Sequence, residues 1–145
     1  GRPLPNVDVQ LIQISDDPIA SWDELSMQNP GDVGEVLVRS PMVTEAYYNR
    51  PGSTEAAKIP SPGGGVAHRM GDLGFMDDEG RLWFCGRKSQ RVRTPEGTLF
   101  TVPCELVFNQ HPIRVPPVFL CFVDLAEADR ERVQDDFVIM KSLSY

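Results

Sequence analysis

Two side chains in the middle of this sequence could handle a nucleotide. Asp72 lies in His68-Arg69-Met70-Gly71-Asp72-Leu73-Gly74, and Arg87 lies in Trp83-Phe84-Cys85-Gly86-Arg87-Lys88. A carboxylate can accept hydrogen bonds from both hydroxyls of a ribose. A guanidinium is permanently charged and offers a planar fork to ribose or phosphate oxygens. Each stands beside glycine, which permits close backbone approach to a ligand. Each type also has a plainer use: an aspartate in a turn after glycine, or a surface arginine closing a strand.

The elements that must position this pair read as mostly β. Gly74-Phe75-Met76 and Arg81-Leu82-Trp83-Phe84-Cys85 flank Asp77-Asp78-Glu79-Gly80, where the acids favour a turn and Gly80 can take positive φ, so a hairpin is expected. Residues 7–14 alternate apolar and polar and predict a strand, with the Leu11-Ile12 slip read as a bulge. Residues 35–39 predict a second strand, after a turn at Asn29-Pro30-Gly31-Asp32. Between these strands, residues 15–25 suggest a short helical turn on a surface insertion. Residues 53–58 predict a short helix with hydroxyl caps, and Pro60 to Gly65 excludes regular structure.

Beyond Arg87, Val92-Arg93-Thr94 and residues 98–102 suggest a second hairpin around Pro95-Glu96-Gly97. A helix capped by Thr101 follows, then a buried strand at 118–123 and an amphipathic helix carrying Leu125, Ala128, Val133, Phe137 and Met140.

Composition narrows the function. The 145 residues are 41% hydrophobic and 24% charged, which is ordinary globular material. No apolar run approaches the ~20 residues of a membrane span, and no signal-peptide pattern opens the chain. A formal net charge of −7 argues against a large nucleic-acid footprint. Arg87, Lys88, Arg91 and Arg93 form the one dense basic group, enough cations to serve a single nucleotide.

Cys85, Cys104 and Cys121 lack the spacing of a zinc site or a disulfide framework and read as reduced thiols of a cytoplasmic protein. No Gly-x-Ser-x-Gly supports a serine hydrolase, and Gly63-Gly64-Gly65 is not followed by the Gly-Lys-Ser/Thr of a phosphate loop. The two histidines, His68 and His111, read as a shape-filling ring and a helix exit.

Four blocks together resemble the adenylate-forming synthetases, the superfamily of acyl-CoA ligases, luciferases and peptide-synthetase adenylation domains. They are Gly34-Glu35-Val36-Leu37-Val38-Arg39-Ser40-Pro41, Ala46-Tyr47-Tyr48-Asn49-Arg50-Pro51, Met70-Gly71-Asp72-Leu73 and Gly86-Arg87-Lys88, in the family's order. The opening Gly1-Arg2-Pro3-Leu4-Pro5 fits the same pattern, with Asn6 where the family has glycine. The variant is most similar to the fatty-acid-CoA ligase and olefin β-lactone synthetase branch. It departs at Met70, where the family has threonine, and after the hinge, where only Gly97 and Glu105 align. From Ile113 onward no family motif is found.

The resemblance implies a fold that is mainly β with some α. Residues 1–87 would form the distorted β-barrel subdomain that ends a large adenylating domain, and residues 88–145 the hinge and the start of a small C-terminal α+β domain. It implies that Asp72 and Arg87 bind the nucleotide and that Lys88 is the hinge. Glu35, Tyr47 and Tyr48 would shape the barrel, and no residue here is assigned a catalytic or metal-binding role.

The implied reaction is ATP-dependent, AMP-forming activation of a fatty or β-hydroxy fatty acid, then thioester or β-lactone formation. ATP and Mg²⁺ would be required, with CoA where a thioester is made. The implied partners are the carboxylic acid and the rest of a parent synthetase, because the family's phosphate loop, adenine-binding segment and C-terminal lysine have no counterpart in these residues. Such a fragment alone is expected to be inactive. A non-catalytic β-rich interaction module is the alternative.

Overall fold

The computed structural model describes residues 1–109. Its strands are β1 (Asp8–Ile12), β2 (Gly34–Arg39), β3 (Lys58–Pro60), β4 (Val66–Met76), β5 (Leu82–Arg87), β6 (Val92–Thr94) and β7 (Gly97–Leu99). Its helices are α1 (Pro51–Ala57) and α2 (Thr101–Asn109), with 3-10 turns at Trp22–Glu24 and Lys88–Gln90. The expected strand at 118–123, the final helix and His111 lie outside the described residues.

β1 to β5 make one antiparallel sheet, in the order β1-β2-β4-β3 with β5 also on β4. The eleven-residue β4 is its spine. The first half of β4 lies between β2 and β3, and its second half between β2 and β5. Among the described residues the sheet stays open rather than closing into a barrel. β6 and β7 pair only with each other, in a separate two-stranded sheet.

β2 is central and buried from Gly34 to Leu37, which is why its sequence runs apolar instead of alternating. Ile12, Leu37, Ile59 and Ala67 form the core, and Ile19, Trp22 and Leu25 pack against it. Burying an Ile or Leu side chain contributes roughly 1.5–3 kcal/mol. Residues 15–25 are therefore more than a surface insertion, since three of them cover this core.

Two local expectations change. β1 pairs with β2 in unbroken register from Asp8↔Arg39 to Ile12↔Glu35, so the Leu11-Ile12 slip is no bulge. The strand ends there, and Ile12 turns to bridge Met27. The N-terminus of α1 has no side-chain cap; it has Pro51 at its first position, where a missing N–H costs nothing. The Thr54 hydroxyl instead donates to the Arg50 carbonyl at 2.9 Å and accepts from the Tyr47 N–H at 3.0 Å.

The hairpin between β4 and β5 forms as expected, with Gly80 at φ +71°. Asp77 organises it, accepting from Trp83 Nε1 at 2.8 Å, from Arg81 Nε at 2.7 Å and from the Glu79 and Arg81 backbone N–H groups. These donors, led by the Trp83 indole, hold the Asp77 carboxyl well below the usual carboxylate range.

Candidate functional site

Asp72 and Arg87 meet because β4 and β5 are both irregular where they need to be. On one side of β4, Glu35 pairs with Leu73 and Leu37 with Arg69, so Met70, Gly71 and Asp72 face Val36 alone. This bulge needs a left-handed residue, and Gly71 supplies it at φ +67°. On the other side, Leu73 pairs with Gly86 but Gly74 with Phe84, so Cys85 is the extra residue. The two irregularities leave Asp72 directly opposite Arg87.

Arg87 Nη1 lies 2.9 Å from Asp72 Oδ1. The approach is that of an ion pair without an aligned N–H, and Oδ1, sealed from solvent, has no hydrogen-bond donor. Arg87 itself is 59% exposed, against 22% for Asp72. That oxygen already has a charged partner, and only the angle of approach keeps the contact from being a hydrogen bond. An exposed guanidinium beside it has N–H groups to spare. The structure thus brings the two residues singled out from the sequence face to face.

Lys88 has a different environment. Its Nζ donates to Glu35 Oε1 at 2.9 Å, to Glu35 Oε2 at 3.0 Å and to the Ser15 carbonyl at 2.9 Å. Glu35 is fully buried and also accepts from Arg69 Nη2 at 2.8 Å. Arg69, 4% exposed, donates further to the Ser15, Asp17 and Ala56 carbonyls. One buried carboxylate thus holds two cations, with carbonyls taking further donors and Arg69 Nε left without a partner. Glu35 shapes the sheet as expected, and it does so by gripping the residue expected at the hinge.

Of the four clustered cations, only Arg87 stands at the nucleotide pair. Arg91 and Arg93 both donate to Asp16 Oδ2, Arg91 at 2.6 Å. The roles of Arg69 and Asp16 were not visible in the sequence. A cation two residues before Gly-Asp and a buried Gly-Glu were the only hint of the first pairing, and nothing local marked the second.

A cleft of about 500 Å³ adjoins the bulge, with Glu35, Tyr47, Arg50, Arg69, Gly71 and Lys88 among its lining residues. Neither Asp72 nor Arg87 lines it. A larger cleft of about 650 Å³ lies at the other end of β4, beside Asp8, Arg39 and Gly65, far from the pair in sequence and register. Neither cleft therefore has Asp72 or Arg87 among its lining residues.

His68 is a packing residue. Its Nδ1 lies 3.2 Å from the Ala57 carbonyl, and its ring meets Tyr47 edge-on at 6.1 Å. Burial, with the nearby Lys58 charge, pushes its pKa below the usual histidine value. Cys85 and Cys104 are free thiols whose pKa burial pushes up, which makes them poor nucleophiles.

No family model matches the chain. Similarity to individual proteins is clear nonetheless. The chain is 49% identical over 109 residues to the olefin beta-lactone synthetase of Stenotrophomonas maltophilia (strain K279a), covering 72% of this chain and 20% of that protein. It is 47% identical over 116 residues to the olefin beta-lactone synthetase of Xanthomonas campestris pv. campestris, covering 77% and 21%. The chain thus spans about a fifth of the length of the curated relatives it matches.

Solved structures agree. The amide bond synthetase McbA from Marinactinospora thermotolerans superposes with a TM-score of 0.61 at 31% identity, over 77% of this chain and 20% of that one. The O-succinylbenzoate coenzyme A synthetase from Bacillus subtilis, in complex with ATP and magnesium ion, gives 0.60 at 26% identity, over 77% and 20%. With the motif order, the sheet and these relatives in agreement, the chain belongs to the adenylate-forming, AMP-binding superfamily, of which it spans one segment.

Proposed function

We propose that this chain is the ribose-binding and hinge segment of an AMP-forming, acid-activating ligase. The observation that carries the reading is the cross-strand placement of the Asp72 carboxylate directly opposite the exposed Arg87 fork. In the bound state the Asp72 carboxylate accepts from ribose hydroxyls, and Arg87 turns spare N–H groups toward ribose or phosphate oxygens. ATP supplies the leaving pyrophosphate when a carboxylate attacks its α-phosphorus, and Mg²⁺ supplies charge neutralisation at the phosphates. Asp72 and Arg87 hold and orient; neither takes or gives a proton.

The substrate class we infer is a fatty or β-hydroxy fatty acid, with β-lactone closure as the second step. The olefin beta-lactone synthetases among its relatives support this, and thioester formation with CoA is the other outcome for the same activated acid. We place the domain boundary at Arg87-Lys88, with residues 1–87 in the large domain and 88–145 opening the small one. The separate pairing of β6 with β7 supports that division. No helix among the described residues is long and apolar enough to cross a membrane. A cytoplasmic setting belongs to the same proposal, supported by the free thiols.

The test is ATP–pyrophosphate exchange by the longer synthetase that contains this segment, over a panel of fatty and β-hydroxy fatty acids. Loss of exchange in folded Asp72→Asn and Arg87→Ala variants supports the reading, and the acid preference identifies the substrate class. Exchange undiminished in both variants overturns the role given to Asp72 and Arg87, and no exchange by the wild type with any acid overturns the ligase reading in favour of a non-catalytic interaction module.

A further inference from the structure

The loop at Ser15, Asp16 and Asp17 receives four cationic side chains from distant parts of the chain. Arg69 Nη2 and Lys88 Nζ reach the Ser15 carbonyl at 2.6 and 2.9 Å, and Arg69 Nη1 reaches the Asp17 carbonyl at 2.8 Å. Between those carbonyls, the Asp16 carboxylate takes Arg91 at 2.6 Å and also pairs with Arg93. Arg91 is the interior partner, its side chain only 9% exposed, while Arg93 is 68% exposed. The other arm of the Arg91 guanidinium donates to the Lys88 carbonyl at 2.7 Å. One arginine thus joins Asp16 to the backbone of the turn at Lys88–Gln90.

Lys88 on Glu35 anchors the start of this segment and α2, which packs on β5, anchors its end, while the hairpin between them has little anchorage of its own. β6 and β7 make no ladder with the five-stranded sheet, and every residue of β7 is exposed. The hairpin has no residue in the buried apolar cluster around Leu37. Its attachment near Asp16 is therefore chiefly ionic, unlike the packing of β1 to β5. An ionic attachment is short-ranged, weakened by salt and released as a unit when its acceptor is lost.

We propose that the Ser15–Asp17 loop is an electrostatic latch, in which Asp16 is a positioning residue that fixes the Lys88–Gln90 turn and the β6–β7 hairpin in one orientation. The latch rests on the hinge reading only for its use in a catalytic cycle; its existence is a property of the fold. Asp16 touches no reacting atom. Its partners lie four and six residues after Arg87, so the latch also sets where the chain runs on leaving β5.

Amide hydrogen exchange of the longer synthetase that contains this segment, read by mass spectrometry on peptides covering residues 88–99, tests the latch without any nucleotide. Asp16→Asn should speed exchange there by about two- to fivefold, the scale of a half-exposed ion pair, with β1 to β5 unchanged. Asp16→Glu should restore most of the protection. In the wild type, raising salt from about 0.1 to about 1 M should reproduce the loosening, and Asp16→Asn should be insensitive to it.

Unchanged exchange over 88–99 in Asp16→Asn overturns the latch. So does an increase spread equally over all strands, which would mark general destabilisation. Since pyrophosphate exchange with the Asp72 and Arg87 variants is a separate readout, failure of the ligase reading cannot be mistaken for failure of the latch.

Discussion

Asp72 on β4 and Arg87 on β5 stand directly opposite each other, with Arg87 Nη1 2.9 Å from an Asp72 oxygen that has no aligned donor. The contact is an ion pair, and on the proposed function the same carboxylate also accepts from ribose hydroxyls. Asp72→Asn keeps the shape and removes the charge, so nucleotide affinity of the synthetase should fall by about tenfold or more, the scale of one hydrogen bond to a charged group. Its urea midpoint should hardly move, since a pair with so exposed an arginine contributes at most about 1 kcal/mol. Equilibrium binding of ATP and a urea titration on the same preparations check both halves.

Glu35 should behave in the opposite way. It is fully buried and holds both Arg69 and Lys88. Glu35→Gln leaves two buried cations sharing a neutral amide, and stability should drop by about 3–5 kcal/mol. Urea unfolding of the wild-type and variant chains measures it. A drop below about 1 kcal/mol would mean that carbonyls alone satisfy the two cations.

Gly86 should tolerate no side chain. A Cβ there would sit 2.2 Å from Thr101 Oγ1, and φ is +128°. Gly86→Ala should destabilise the chain by about 1–3 kcal/mol for the backbone, with the clash added. Removing the hydroxyl in a Gly86→Ala/Thr101→Ala double variant should recover the clash and leave the backbone cost. Thermal unfolding of the two single variants and the double variant separates the contributions as non-additivity.

Acid should weaken the fold in two steps. His68 has a folded pKa below its ordinary 6.5, from burial first and the Lys58 charge second. Its neutral form is favoured in the fold, so the stability it contributes is full above about 6.5 and is lost as pH falls through the folded value. Asp16 is lowered below 3.8, chiefly by its hydrogen bond from Arg91. Its contribution is full above 3.8 and is lost only as pH falls further. Stability measured by urea titration across pH should lose its first increment in wild type but not in His68→Phe.

Much of the candidate site was legible because it is local. The acidic turn with Gly80 announces the β4–β5 hairpin, and a hairpin brings two nearby motifs together whatever surrounds it. Elements whose reasons lie elsewhere were misread. The doubled Leu11-Ile12 looked like a bulge because a strand's end and a slip in its register share one apolar pattern. The hydroxyls of α1 looked like caps because nothing local says that Thr54 will turn back to the Arg50 carbonyl. Residues 15–25 looked like an insertion because the core they cover is built from β1, β2, β3 and β4.

By itself, the sequence determined the family and the strand-rich character, and it singled out Asp72 and Arg87, which the hairpin brings face to face. Glycine-flanked charges in a fixed order are local chemistry, and local chemistry survives without coordinates. Only the tertiary structure decided which charges neutralise which. Glu35 meets Lys88, and Asp16 meets Arg91, across fifty-three and seventy-five positions of chain. Long-range ion pairs follow from sheet register and loop placement, which set distance and burial, and those two quantities decide whether opposite charges find each other or water.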